Sequence, residues 1–145
     1  MTKTIYILNG PNMNMLGARD PKFYGTGTLA DLEELCLKSG SRLGLDVVFR
    51  QSNHEGQLID WIHEGRSAAS GFVVNAGALT HTSIGLLDAL QVADKPVIEV
   101  HLSNIFRRES FRHHSYVSLT ARGVICGLGA KGYELALEAL AEILA

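Results

Sequence analysis

An alternation between two residue spacings constrains this chain more than any other feature. Five short runs, Ile5-Tyr6-Ile7-Leu8, Val47-Val48-Phe49, Phe72-Val73-Val74, Val97-Ile98-Glu99-Val100 and Val124-Ile125-Cys126, are strand-length and rich in β-branched residues. Most are apolar throughout, which suits strands covered on both faces of a parallel sheet. Between them lie stretches with helical spacing. Thr28 with Asp31 reads as a capping box ahead of Leu29, Leu32, Leu35, Cys36 and Leu43. Ser52 with Glu55 repeats that signature before Leu58, Ile59 and Ile62, and Thr80 can cap a third helix carrying Ile84, Leu87 and Leu90. A last helix is expected from about Ala130, with Tyr133, Ala136, Leu137, Leu140, Ile143 and Leu144 on one stripe. The order predicts an α/β fold: a doubly wound, five-stranded parallel sheet of order 2-1-3-4-5 with helices on both faces. The polar and aromatic segment 102–121 reads as a loop with room for one short helix.

Composition narrows the function classes. At 145 residues the chain is expected to form a single domain over 1–145. Lys and Arg total 13 against 15 Asp and Glu, and no basic run builds the footprint that nucleic acid requires. No apolar stretch approaches the ~18–20 residues of a membrane span. The opening residues Thr2 to Leu8 lead straight to Asn9, without the long apolar region of a signal peptide, so a cytoplasmic location is expected. Cys36 and Cys126 are too few for a disulfide framework or a thiolate metal site.

In such a fold a ligand binds beyond the carboxyl ends of the strands, where strand order reverses. Polar and ionisable residues collect there after strands one, three and four: Asn9, Asn12 and Asn14, then Asn75 and His81, then Glu99, His101, Ser103, Asn104, Arg107, Arg108, Arg112, His113 and His114. Glu99 and His101 stand at i and i+2, on the same side of a strand. A carboxylate beside an imidazole fixes its tautomer and suits it to general acid work near neutrality; the same spacing also suits a structural pair at a strand end. The stretch 17–27 has glycines at both ends around Arg19 and Tyr24, as a lid requires, and also reads as a plain surface loop. A phenol with the ordinary pKa near 10 costs about 4 kcal/mol to use as a base at pH 7, a deficit that a neighbouring Arg reduces. His81 and Asp88, seven apart, are expected on one face of the third helix. His101 with His113 and His114 invites a metal, but adjacent histidines do not both ligate easily and no acidic or thiol partner has useful spacing, so none is expected. The run Gly127-Leu128-Gly129-Ala130-Lys131-Gly132 matches a dinucleotide fingerprint, yet no second strand and acidic residue follow it; its glycines read as turn and packing residues.

Six separated motifs resemble those of the type II 3-dehydroquinate dehydratases, over essentially the whole chain. They are 7–17 (ILNGPNMNMLG), Arg19-Asp20-Pro21 with Tyr24-Gly25, Ser52-Asn53-His54-Glu55-Gly56, Thr80-His81-Thr82-Ser83 with Asp88-Ala89-Leu90, Glu99 to Asn104, and Phe111 to Tyr116. The resemblance implies a flavodoxin-like fold and a cofactor-free lyase converting 3-dehydroquinate to 3-dehydroshikimate through an enolate. It implies a place in the shikimate pathway of aromatic amino acid biosynthesis, or alternatively in quinate breakdown. Tyr24 would be the base, ionised with help from Arg19; Asn12 would steady the enolate, through a water; His101, oriented by Glu99, would protonate the departing hydroxyl. Asn75, His81, Arg112 and the main chain at Leu102 and Ser103 would bind the substrate's carboxylate and hydroxyls. Asp88 would reach into a neighbouring subunit's site, because such enzymes form dodecamers built from trimers. The chain departs from the pattern at Ala76 and Leu79, where the family commonly has proline and tyrosine. It departs again at Phe106, a usual histidine, and at Met13 and Met15, usual leucines. Losing the proline should loosen the turn after strand three. A binding module for a nucleotide or flavin would use the same crevice, but would leave the two pairings, Arg19 with Tyr24 and Glu99 with His101, accidental.

Overall fold

The computed structural model describes every residue except Met1, Arg19, Pro21 and 23–26. Five strands, β1 (Lys3–Asn9), β2 (Leu45–Gln51), β3 (Gly71–Asn75), β4 (Val97–His101) and β5 (Gly123–Cys126), form one sheet in the order β2-β1-β3-β4-β5. All the pairings are parallel, with Asn9 level with Gln51 on one side and Asn75 on the other. Between and after the strands run the helices α1 (Leu29–Arg42), α2 (Glu55–Ala68), α3 (Ile84–Ala93) and α4 (Lys131–Ile143). The expected architecture and strand order are those observed.

Strand alternation divides the core between the two faces. Ile5, Ile7, Val73, Ile98 and Val100 point towards α1 and α4, against Leu32, Cys36, Leu137 and Leu140. Tyr6, Leu8, Phe72, Val74 and Val97 point the other way, towards α2 and α3, against Leu58, Ile62, Leu86 and Leu90. Truncating one such side chain to Ala costs about 2–5 kcal/mol. No helix among the described residues is long and apolar enough to cross a membrane. Both cysteines are free; burial pushes the Cys36 thiol up to about 12.

The helix starts correct three details of the sequence reading. Thr28 does form the capping box, accepting from Asp31 N at 3.2 Å and donating its own N–H to the Asp31 carboxylate at 3.0 Å. Ser52 and Glu55 do not: α2 begins after His54, Ser52 Oγ accepts from His54 N at 3.0 Å, and Glu55 turns to the Ser83 hydroxyl instead. Nor does Thr80 cap α3. Ser83 does, accepting from Leu86 N at 2.9 Å, while Thr80 lies buried in a separate 3₁₀ turn, Gly77–His81. His81 and Asp88 therefore do not share a helix. The stripe that α3 buries is Leu86, Ala89, Leu90 and Ala93, and Ile84 is exposed. The segment between β4 and β5 winds through three 3₁₀ turns, Ile105–Arg107, Ser110–Arg112 and Val117–Leu119, rather than one short helix. Single turns of this kind leave no 3.6-residue periodicity to read.

Candidate active site

The carboxyl ends of β1, β3 and β4 meet at a cleft of about 130 Å³. It lies at the switch point between β1 and β3, where the strand order reverses. Of the residues expected there, Asn12, Asn75, His81, His101, Leu102, Ser103 and Arg112 all line it. Glu99 lies directly behind His101. Asp88 does not line it, being exposed on α3. Arg19 and Tyr24, with most of the expected lid, fall outside the described residues.

β1 hands the chain to the cleft through a tight turn. Gly10 N donates to Asn75 O at 2.8 Å, and a Cβ on Gly10 would stand 2.3 Å from Ala76 O, so only glycine lets the two strand ends approach. Asn12 then adopts the left-handed conformation, φ 71°, rare for a residue with a side chain. Asn53, from the end of β2, holds it there by accepting from Asn12 N at 2.9 Å. Gln51 Nε2 ties Asn53 Oδ1 and Gly10 O together at 3.2 Å each. Ala76, in the departing proline's place, keeps φ −74°, a value proline itself would adopt.

At the end of β4 a carboxylate is buried completely. Glu99 Oε2 accepts from His101 Nε2 at 2.5 Å and from Ser115 Oγ at 2.8 Å, with Thr80 Oγ1 at 3.3 Å; Oε1 accepts from Ser118 Oγ at 2.5 Å. Burial pushes this carboxyl up. The His101 and Ser118 hydrogen bonds, the charge of His101 and the Ser115 bond outweigh it and hold Glu99 below the usual carboxylate range. With Nε2 committed to Glu99, His101 keeps Nδ1 for a ligand. The same polar cluster anchors the loop: Tyr116 N donates to Thr80 O at 2.8 Å.

The glycine-rich turn after β5 fixes the main chain beside this histidine. Gly127 N donates to His101 O at 3.2 Å and Gly129 N to Leu102 O at 3.1 Å. Gly127, at φ 85°, has no room for a Cβ, which would sit 2.8 Å from Asn104 Cβ. The fingerprint-like glycines thus turn and pack.

The far wall is basic. His81 Nδ1 lies 2.7 Å from His114 O; a carbonyl can only accept, so Nδ1 carries the proton and Nε2 is the acceptor of the neutral ring. Burial, the largest influence, holds this imidazole below its usual range. Arg112 is braced by Glu109 at 3.0 Å. Arg108, its side chain only 10% exposed, reaches Ser103 Oγ at 3.4 Å and also lines the cleft. Two guanidiniums, paired amides and a buried carboxylate–imidazole dyad suit a small anionic, hydroxylated ligand and proton transfer to it. Among the described residues no three His, Cys, Asp or Glu side chains gather as a metal site would require.

Sequence reasoning did not single out Thr80, Ser118, Asn53 or Tyr133 for the site, whereas Arg108, named with the polar residues after strand four, does line it. Hydroxyls and amides that hold other side chains carry no periodic signal; only the crowding of polar residues after strand four pointed their way.

Residues 3–141 match the family model described as dehydroquinase class II. The 3-dehydroquinate dehydratase of Acidovorax sp. (strain JS42) is 58% identical over 147 residues, covering 98% of this chain and 99% of that protein. The 3-dehydroquinate dehydratase 2 of Pseudomonas aeruginosa is 55% identical, covering 98% and 96%. Among solved structures, the type II dehydroquinase of Propionibacterium acnes superposes with a TM-score of 0.94 at 48% identity, covering 98% of each chain. With that family match over nearly its whole length, the chain belongs to the class II dehydroquinase family.

Proposed function

We propose that this protein is a 3-dehydroquinate dehydratase that eliminates water through an enolate. The observation that carries the reading is the Glu99–His101 pair: a buried carboxylate 2.5 Å from an imidazole that opens on a cleft with cationic walls. Family membership supplies the substrate. Tyr24, helped to ionise by Arg19, removes the proton α to the ketone, and the electron pair moves into the enolate. Asn12 steadies the enolate oxygen through a water. The enolate then re-forms the ketone and expels the β-hydroxyl, which leaves as water with a proton from His101. Base and acid regain their starting states through solvent, so no cofactor takes part.

Arg112, His81, Asn75 and the main chain at Leu102 and Ser103 hold the carboxylate and hydroxyls. Asp88 serves a neighbouring subunit's cleft within a dodecamer of trimers; its exposure on α3, away from its own chain's cleft, supports this. The chain works as one domain over residues 1–145, in the cytoplasm, supplying 3-dehydroshikimate to the shikimate pathway and so to aromatic amino acid biosynthesis.

The test is the ultraviolet absorbance of the conjugated enone formed from 3-dehydroquinate by purified protein. Turnover that survives borohydride in the presence of substrate is expected, since no imine forms. Absence of the enone, or inactivation with a covalent adduct, would overturn the reading. Tyr24→Phe should abolish turnover in a folded protein; normal turnover would remove Tyr24 as the base.

A further inference from the structure

Between β1 and β3, beneath the cleft, three buried polar side chains form a line whose hydrogen-bond directions are all forced. Asn9 Nδ2 donates to Arg50 O at 3.0 Å, and a backbone carbonyl can only accept, so Asn9 must turn its Oδ1 the other way. At the opposite end Gly77 N donates to Asn75 Oδ1 at 3.2 Å, and a backbone N–H can only donate, so Asn75 must turn its Nδ2 inward. The two ends that face each other are thus an acceptor and a donor, with the Tyr133 hydroxyl between them. It donates to Asn9 Oδ1 at 2.6 Å and accepts from Asn75 Nδ2 at 2.8 Å. Tyr133 is completely buried on α4, and burial raises its phenol far above the usual range, so the proton stays on the oxygen.

We infer that Tyr133 is a positioning residue for the reaction: through its hydroxyl it locks the Asn75 amide so that the oxygen, not the nitrogen, serves the ligand. The second N–H of Asn75 is also occupied, by Met13 Sδ at 3.6 Å. What Asn75 has left for the cleft it lines is the remaining lone pair of Oδ1, an acceptor. Asn75 therefore reads a substrate hydroxyl rather than the carboxylate. A phenylalanine at 133 would fill the same space and leave both amides without their common partner, each held in its orientation by its backbone bond, to Arg50 O or from Gly77 N, with nothing opposing a turn from the inner side.

The inference rests on the dehydratase reading, and its test separates the two. Tyr133→Phe should raise KM for 3-dehydroquinate about tenfold with a smaller change in kcat, the loss of one buried hydrogen bond felt at substrate binding. In an Asn75→Ala background the same substitution should add nothing to the loss in kcat/KM, because its effect passes through Asn75. A merely structural tyrosine would lower thermal stability and the active fraction with KM unchanged, and that outcome overturns the inference, as do additive effects in the cycle. Asn9→Ala, which frees the hydroxyl to rotate, should raise KM in the same direction by less, and it serves if Tyr133→Phe fails to fold. A crystal structure of either variant reads the amide without substrate. Asn75 turned away from Gly77 N is expected, and an unmoved amide overturns the inference. A wild type inactive on 3-dehydroquinate would overturn the reaction while this structural readout still decides the role of Tyr133.

Discussion

The end of β4 and the ends of β1 and β3 bury polar groups equally deeply and satisfy them differently. Glu99 is a charge, compensated by an imidazole and three hydroxyls whose protons can reorient. Asn9, Tyr133 and Asn75 are neutral, and every proton among them is assigned by a backbone group at one end or the other. A buried charge must be fully paired or it destabilises the fold. A neutral line costs less to bury and holds direction instead. On the proposed mechanism the difference divides labour within one cleft: the β4 side would move protons, while the β1–β3 side would keep geometry constant across pH.

The sharpest way to break that division is at His101. His101→Ala should lower kcat about 10²–10⁴-fold, measured by enone absorbance, with the far-ultraviolet circular dichroism unchanged; near-normal turnover would remove the imidazole from proton transfer. Glu99→Gln comes next, with a loss of roughly 10–10³-fold as the imidazole loses its orienting charge.

That variant also carries a pH test. Glu99 titrates below its unfolded value of about 4.3 in the folded chain, so its contribution to stability is present above that pH. The contribution is lost as pH falls through the lower folded value. Glu99→Gln should flatten the acid limb of a stability-versus-pH curve, and an equally steep limb would show the acid sensitivity to lie elsewhere. The pH–rate profile of Tyr133→Phe, by contrast, should run parallel to that of the wild type; a displaced profile would dissolve the comparison. Ser118→Ala should cost about three- to tenfold in kcat, since one of several donors to the carboxylate is removed. Asn53→Ala should have the smallest effect, about two- to fivefold, by releasing the left-handed Asn12 from the Asn53 side chain that tethers it. A loss larger than that for Ser118→Ala would mean that the neutral side carries more of the catalysis than the charged side's supports.

The frame of this molecule was legible because its signals are local. β-Branched runs marked every strand, and the Thr28–Asp31 box marked α1 to the residue. Ser52 and Thr80 misled because a hydroxyl shortly before a carboxylate or a helix has more than one use. Ser52 supports the turn into α2, and Thr80 turns inward to Glu99. The i, i+2 spacing of Glu99 and His101 announced their contact, whereas nothing in the spacing of Ser115 and Ser118 announced that they would close on the same carboxylate. Tyr133 illustrates the limit most clearly. Its place on the apolar stripe of α4 correctly predicted burial, and by the same token concealed a hydroxyl with two polar partners. Periodicity reports which side of a helix is inside, not what waits there.

The hydroxyl that joins Tyr133 to Asn9 spans 124 positions of sequence. Every strand of the sheet precedes Tyr133 in the chain, so the sheet can pair before α4 docks across it. Contacts of such long range are gained late, after the loop-closure entropy has been spent on nearer ones. A refolding chain should thus recover its strand and helix signal ahead of its full affinity for substrate. Turnover at low substrate concentration becomes a clock for the last docking event, one that spectroscopy of the backbone would pass over.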